Sequence, residues 1–378
     1  MGSRSQTALE TALSKVPDPR STKRAKRHKL VDILVIVVAA TVSRVEGWHQ
    51  IVLFAKAKLD FFKGILELPN GIPCAQTFGR VLARIDPQGF MDAFMDWADG
   101  LRQVIDGEQI NMDGKWLRGV SERLKAAGKA PINIVSAWAA KNRLCLGQRK
   151  VDSKHNEIEA MLSLIKMLDV KNTTVSIDAI GCQKEIAGEL SARRANYLFA
   201  LKRNQKNLFE DVSLFFEDLK ANALPGVAYD VCTSVAKHHG RSETRRLWAT
   251  SDIDWLEQRA QWPGLSTIVM VESQRKIGTK ITTNKRYYLS SLPPEANRLA
   301  RYIRRHWHIE TRLHWTLDVT FGEDRDRNYA GHAAENFALI RKLAINLLRR
   351  ESSKKESVPC KRLLATIDER YLLRVLTA

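Results

Sequence analysis

Cysteine is sparse and scattered. The five residues, Cys74, Cys145, Cys182, Cys232 and Cys360, include no Cys-x-x-Cys pair. That argues against a zinc knuckle and a disulfide framework, and a reducing cytoplasm is the matching compartment. Long apolar runs are also missing. The most apolar stretch, Ile33 to Val42, is too short to span a bilayer and reads as a buried helix. The first twenty residues are polar and lack the apolar core of a secretory signal. Acidic side chains are in deficit: 42 against 61 Lys and Arg, a formal net charge of +19 over 378 residues. Such an excess points to a polyanionic partner, most often nucleic acid; a basic surface kept for solubility is the alternative. The bases cluster at Arg20 to Lys29, Arg298 to Arg305 and Arg341 to Arg362.

Residues 30–103 read as helical. Leu30 to Val45 and Trp48 to Leu66 suit packed helices, and Leu68 to Pro73 breaks them. A further helix carries Phe78, Val81, Leu82 and Ile85 on one side. Asp86-Pro87 then supplies an N-cap followed by proline at the first helical position. The next helix holds Phe90, Phe94 and Trp97. From Gln109 the period changes to two. Strands are expected at "INMDGK", Lys115 to Val120 and Ile132 to Ala140, and Leu144 to Val151 closes a hairpin. An amphipathic helix over Asn156 to Leu168 follows, then a strand at Thr173 to Ala179, a helix at Gln183 to Arg194 and a strand at Asn196 to Lys202. This order implies a mixed sheet covered by helices. Residues 225–292 are rich in strand formers and interrupt that pattern. A long helix is expected from Glu295 to about Leu317, another over Phe337 to Arg350 and a last one over Leu363 to Leu376.

Three carboxylates stand out. Asp113 and Asp178 each end a short apolar strand, and right-handed crossovers place such strands side by side and parallel. Their C-terminal ends share the sheet edge where open α/β folds locate sites. Two carboxylates held close repel unless a cation intervenes, and Mg²⁺ suits oxygen ligands of this kind. Each aspartate alone is equally a turn cap. On the last long helix His306, Glu310 and His314 fall at i, i+4 and i+8, beside an apolar stripe of Ile309, Leu313 and Leu317. This pattern directs Glu310 toward the sheet edge. The same spacing also admits a surface stripe of Glu–His pairs or a His/Glu/His zinc site.

Several stretches resemble DDE-type insertion-sequence transposases, in the group that includes the H-repeat-associated proteins of Rhs elements. They are Asp113 to Gly119, Ser153 to Ile158, Ser176 to Ala187, Tyr197 to Gln205, His239 to Arg245, His306 to Asp324 and Ala333 to Leu348. Asp18 to Arg20 and Thr77 to Pro87 resemble the helical region associated with that family. The resemblance implies a ribonuclease H-like α/β core with a mixed sheet, and an acidic triad of Asp113, Asp178 and Glu310. It also implies a β-rich insertion before the glutamate helix, which the pattern over 225–292 indicates independently. The implied organisation is a basic arm (1–29), a helical associated domain (30–103), a catalytic domain (104–350) interrupted at 225–292, and a helical tail (351–378).

The implied activity is metal-dependent cleavage of element ends and strand transfer into target DNA, with two Mg²⁺ or Mn²⁺ ions on the three carboxylates. The implied setting is a homodimer in a bacterial cytoplasm, alongside the nucleoid. The wider superfamily shows Tyr…Arg…Glu…Lys on the last helix. Here Ile303, His306, Glu310 and Leu317 stand at those places, and His155 falls where a small polar residue is usual. Cationic contacts to a DNA end then fall to Arg305, His306 or Arg312. Lys202, Arg203, Asn204 and Gln205 follow a strand ending at the same edge and are expected to touch phosphate or flanking bases, with Lys115 and Lys184 as further candidates. Trp307 or Trp315 either stacks on a displaced base or packs in the core. A non-cutting DNA-binding descendant and a small-phosphoester hydrolase are the competing classes.

Overall fold

The computed structural model describes residues 7–23, 25–151, 157–238 and 240–378. Ser153 to Asn156, His155 included, and His239 lie outside the described residues. The N-terminal third is helical: α1 (Ala8–Ser14), α2 (Leu30–Val42), α3 (Trp48–Ala57), α4 (Leu59–Ile65), α5 (Ala75–Arg84) and α6 (Pro87–Leu101). α1 falls within the stretch expected to be a basic arm, yet it buries Leu9 and Leu13 and packs on α2 and α6. α2 is apolar on every side because it is enclosed on every side, with Ile33 to Ala40 nearly inaccessible. At α6 the Asp86 carboxylate accepts the Gly89 N–H at 2.9 Å, and Pro87 opens the helix.

The α/β part follows as β1 (Gln109–Trp116), α7 (Arg118–Ala126), β2 (Asn133–Ala139), β3 (Leu144–Val151), α8 (Glu157–Met167), β4 (Thr174–Ile177), α9 (Lys184–Ala192), β5 (Asn196–Leu201) and α10 (Lys206–Lys220). Four long strands come next: β6 (Asp230–His238), β7 (Arg241–Thr250), β8 (Thr267–Ile277) and β9 (Lys280–Ser290). The chain closes with α11 (Ala296–His306), a π-helical continuation over Ile309–His314 and Thr316–Thr320, α12 (Ala333–Arg350), α13 (Val358–Ile367) and α14 (Glu369–Leu376).

The nine strands of the described residues form one mixed sheet in the order β3-β2-β1-β4-β5-β9-β8-β7-β6. β1 pairs parallel with β4 and β4 with β5, while the remaining pairs are antiparallel. The β-rich stretch is therefore an extension of the core sheet, joined where β9 pairs with β5, Leu198 opposite Ser290. Alternation along the strands separates two faces. Ile110, Met112, Val175, Ile177, Tyr197 and Phe199 enter the main core. On the opposite face α11 packs through Leu299, Tyr302 and Ile303 against Leu198, Leu247 and Val269.

Two expected elements differ. Lys115 to Val120 is not a second strand: β1 runs unbroken to Trp116, and α7 starts at Arg118. Helix α7 lies close against the loop after the π-helical segment. A Cβ on Gly119 would stand 2.5 Å from the Asp324 carbonyl oxygen and 2.7 Å from that of Asp326. The long helix expected to reach Leu317 is α-helical only to His306, and beyond Trp307 its repeat widens to i→i+5.

Helix α12 ties the halves together. The Arg341 guanidinium, 2 % exposed, pairs with Glu46 at 3.0 Å and Asp326 at 2.9 Å. Arg362 of α13 reaches the same Glu46 at 3.2 Å. One carboxylate of the N-terminal helices thus neutralises two buried cations from the C-terminal ones. Among the described residues no helix is long and apolar enough to cross a membrane.

Candidate active site

Parallel pairing aligns Met112 with Ile177, so the next residues stand side by side: Asp178 just past the end of β4, and Asp113 inside β1, which continues to Trp116 and so does not end at the aspartate as expected. Strands in such a pair lie about 4.8 Å apart. Asp178 also caps its own turn, its Oδ1 accepting the Ile180 N–H at 3.2 Å. That turn requires Gly181, where a Cβ would fall 2.2 Å from the Ile177 Cγ2 atom. Glu310 descends from the first π-helical segment. The three carboxylates line one cleft of about 660 Å³.

Their electrostatics are coupled. Asp113 is pushed from its ordinary 3.8 to about 8, first by burial and then by the negative charges of Asp178 and Glu310. Burial also raises Asp178, with the Ile180 N–H and Lys202 opposing. Glu310 is raised by burial and then by Asp178, with Arg286 opposing. A site that holds protons on its acids when empty favours a cation once they are released. The donor set, oxygen only, suits a hard divalent ion. Among the described residues, however, no three His, Cys, Asp or Glu side chains converge tightly enough to hold one ion between them.

The histidines do not form the expected stripe. The His306 Nδ1 atom lies 2.9 Å from the Ser176 hydroxyl, and burial depresses its pKa to about 4. His306 is therefore neutral at pH 7 and is not the cation expected to replace the superfamily's arginine. His314 turns the other way: Nδ1 sits 3.5 Å from the Asp113 Oδ2 atom, and burial, with Lys342 and Lys115 nearby, depresses it to about 3. That contact joins a neutral ring to an acid and is not an ion pair. A shared His306/Glu310/His314 zinc site does not form, because the two rings serve separate partners.

The expected basic contacts divide in two. Lys202 and Arg203 line the cleft. Lys115 does not: its ammonium is 12 % exposed and pairs with Asp318 at 2.6 Å, Glu323 at 3.0 Å and Asp324 at 3.2 Å. It shares the face of β1 that carries Asp113, but three carboxylates already neutralise it. Asn204 and Gln205 act as braces, their amides donating to the Ala179 carbonyl at 2.6 Å and the Cys182 carbonyl at 2.9 Å. They hold the loop that carries Asp178. Lys184 hydrogen-bonds the Gln261 side chain, outside the cleft lining. Arg305 and Arg312 are half-buried and are not among the residues lining the cleft. Trp307 and Trp315 are 44 % and 57 % exposed, so neither is a core residue. Trp307 lines the cleft, with the Arg286 guanidinium 5.6 Å from its ring centre.

Sequence reasoning missed Asn284, Lys285 and Arg286, which β9 delivers to the cleft wall. The signal was the basic run inside "TTNKRYY", legible as a strand but not as a neighbour of Asp178. A second groove of about 490 Å³ continues from the first across Asn284, Arg286 and Trp307. It is lined by Arg245, Arg275 and Arg304, with Glu243 as its acid.

Residues 100–347 match the model of the transposase DDE domain, and residues 10–98 that of the DDE_Tnp_1-associated region. The chain is 36 % identical over 370 residues to the H repeat-associated putative transposase YhhI of Escherichia coli K12, covering 96 % of each. It is 36 % identical over 371 residues to the putative transposase YncI of Escherichia coli O157:H7, covering 97 % of this chain and 93 % of that one. An uncharacterized protein in the dhlA 3′ region of Xanthobacter autotrophicus is 41 % identical over 279 residues, 73 % of this chain and 92 % of that one. With its parallel β1–β4 pair, antiparallel flank and carboxylate-lined cleft, the chain belongs to the transposase DDE domain family and has that family's ribonuclease H-like fold.

Proposed function

We propose that this transposase cleaves DNA at insertion-sequence ends and joins the freed 3′-hydroxyl to target DNA, with Asp113, Asp178 and Glu310 holding two divalent cations. The observation that carries this reading is the shared cleft in which burial raises all three acids, Asp178 and Glu310 further raise Asp113, and Asp178 further raises Glu310. Dividing three carboxylates between two ions asks for few protein ligands on each, and water and phosphate oxygens complete the shells. Bound there, Mg²⁺ or Mn²⁺ supplies Lewis acidity to the attacking hydroxyl and to the leaving oxygen of an in-line displacement.

The chain's own part is binding and orientation. Lys202 and Arg203 at the end of β5 and Arg286 on the adjoining β9 bring positive charge to the phosphates flanking the reacting one. The groove of Arg245, Arg275 and Arg304 carries the strand away from the cleft, a path of arginines suited to successive phosphates. Trp307, exposed between the two, offers a face on which an unpaired base stacks. The neutral His306 contributes hydrogen bonding without adding charge. No covalent protein intermediate is required, and a homodimer holding two element ends is part of the same reading.

The test is incubation of purified protein with a labelled element end and Mg²⁺, sized on a denaturing gel. The expected result is a Mg²⁺-dependent nick that Asp178→Asn abolishes while DNA retention persists. Retention without a nick in the wild type would select the non-cutting alternative. Cleavage retained in Asp178→Asn would falsify the triad.

A further inference from the structure

The face of β1 and β4 that meets α11 carries a row of buried polar side chains where apolar ones are the norm. Gln109 and Asn111 are fully inaccessible, and Ser176 is 1 % exposed. Asn111 and Ser176 are register partners across the parallel pair. Each stands two residues before a cleft aspartate, Asp113 and Asp178, and so shares its face of the sheet. The Asn111 Nδ2 amide donates to the Arg305 carbonyl at 2.6 Å and the His306 carbonyl at 3.3 Å. The Gln109 Nε2 amide donates to the Tyr302 carbonyl at 2.9 Å and to the Ser176 Oγ atom at 3.0 Å. The Ser176 hydroxyl donates to the Asn111 Oδ1 atom at 2.9 Å. Its one hydrogen being spent, Ser176 accepts from His306, 2.9 Å away, which assigns the proton of that neutral ring to Nδ1.

The captured carbonyls, Tyr302, Arg305 and His306, belong to the last turn of α11, just before the repeat widens. Where bonding passes from i→i+4 to i→i+5 the helix is less tightly held by its own ladder. There the Asn111 amide adds a side-chain donor to the Arg305 and His306 carbonyls. Glu310 follows four residues after His306. We propose that Gln109, Asn111 and Ser176, through these bonds to the end of α11, form a positioning clamp that seats the α-to-π junction on the sheet and so sets the gap between Glu310 and the two aspartates. The same strands carry the clamp and the aspartates, so the clamp refers the glutamate helix directly to Asp113 and Asp178. The arrangement has a cost: the Gln109 Oε1 atom is buried without a partner. Apolar strand residues would avoid that cost and would pack α11 without fixing its height along the strands.

The clamp rests on the proposed triad, so its test reads geometry and metal binding apart from cleavage. In Ser176→Ala, backbone amides of Ile309 to Leu313 should exchange hydrogen at least about tenfold faster than in the wild type. Mn²⁺ affinity of the DNA-free protein should fall about tenfold, the usual loss when a partner behind the ligands is removed. Ser176→Thr keeps the hydroxyl and should restore both. DNA retention without metal should stay within about twofold throughout, since phosphate contacts lie elsewhere. Asn111→Leu, with the same heavy-atom branching but without the amide, should reproduce the exchange result and guards against a misfolded Ser176→Ala. Unchanged exchange in both variants, or faster exchange with undiminished Mn²⁺ affinity, overturns the clamp. Failure of Mn²⁺ to bind the wild-type chain would instead remove the metal reading, and the exchange result would still decide the clamp.

Discussion

Asp113→Asn should make the metal-free protein more stable while removing its function. Burial and the charges of Asp178 and Glu310 raise the Asp113 carboxyl from 3.8 to about 8. Between those values the folded state binds more protons than the unfolded one, so stability falls as pH rises through that window and levels off above it. At pH 7 the shift amounts to roughly 4 kcal/mol against folding at 1.36 kcal/mol per unit. The side chain is 20 % exposed, so solvent screening leaves an expected gain of about 2–4 kcal/mol for the amide. The amide oxygen introduced by Asp113→Asn can still accept the Gly114 N–H that the carboxylate accepts. The midpoint of thermal unfolding in EDTA should rise by roughly 3–6 °C at pH 7. The gain should be near zero at pH 4, where both side chains are neutral, and should grow toward pH 8. Added Mg²⁺ should raise the wild-type midpoint more than the variant's, because the variant keeps only two of the three carboxylates. A variant that melts at or below the wild type at pH 7 in EDTA would refute the claim that burying this carboxyl beside two other acids costs the empty fold stability.

Other consequences separate cations that look alike in sequence. Arg286→Ala should weaken DNA binding and lower the slope of log affinity against log salt by about 1, as for a single phosphate contact. Lys115→Ala should leave that slope alone and lower the urea midpoint, since Glu323, 1 % exposed, loses an ion-pair partner. Glu46→Ala leaves Arg362 without its carboxylate and Arg341 with one of two, and should cost roughly 3 kcal/mol in denaturant titration. Gly119→Ala forces a methyl against two backbone carbonyl oxygens and should cost about 1–3 kcal/mol by thermal melting, with α7 displaced from the Asp324 loop.

Strand alternation and the motifs around Asp113, Asp178 and Glu310 were enough to place all three acids on one edge of a mixed sheet. They also sufficed to place the helical N-terminal part, with its Asp86-Pro87 start. These are local signals: a period of two, a cap, a glycine turn whose tightness at Gly181 excludes a side chain. Where local pattern was ambiguous the reading erred. "KWLRGV" carries β-branched and aromatic residues, yet α7 begins inside it, because Gly119 admits a close packing against residues remote in order. Lys115 and Lys202 are both single lysines at the ends of apolar strands. One is enclosed by carboxylates from a segment about two hundred residues later, and the other borders an open cleft.

The sequence by itself determined the family and most of the order of elements, and it singled out three acids that come to line one cleft, because each is written in contiguous stretches. Tertiary structure alone decided which basic residues reach those acids, that β9 joins β5 and brings Arg286 with it, and that the glutamate helix changes its repeat at His306. The physical reason is that these outcomes depend on partners far apart in the chain: Asn111 meets the Arg305 carbonyl across 194 residues. The hydrogen bond a buried carbonyl requires is set by whichever side chain the fold brings opposite it.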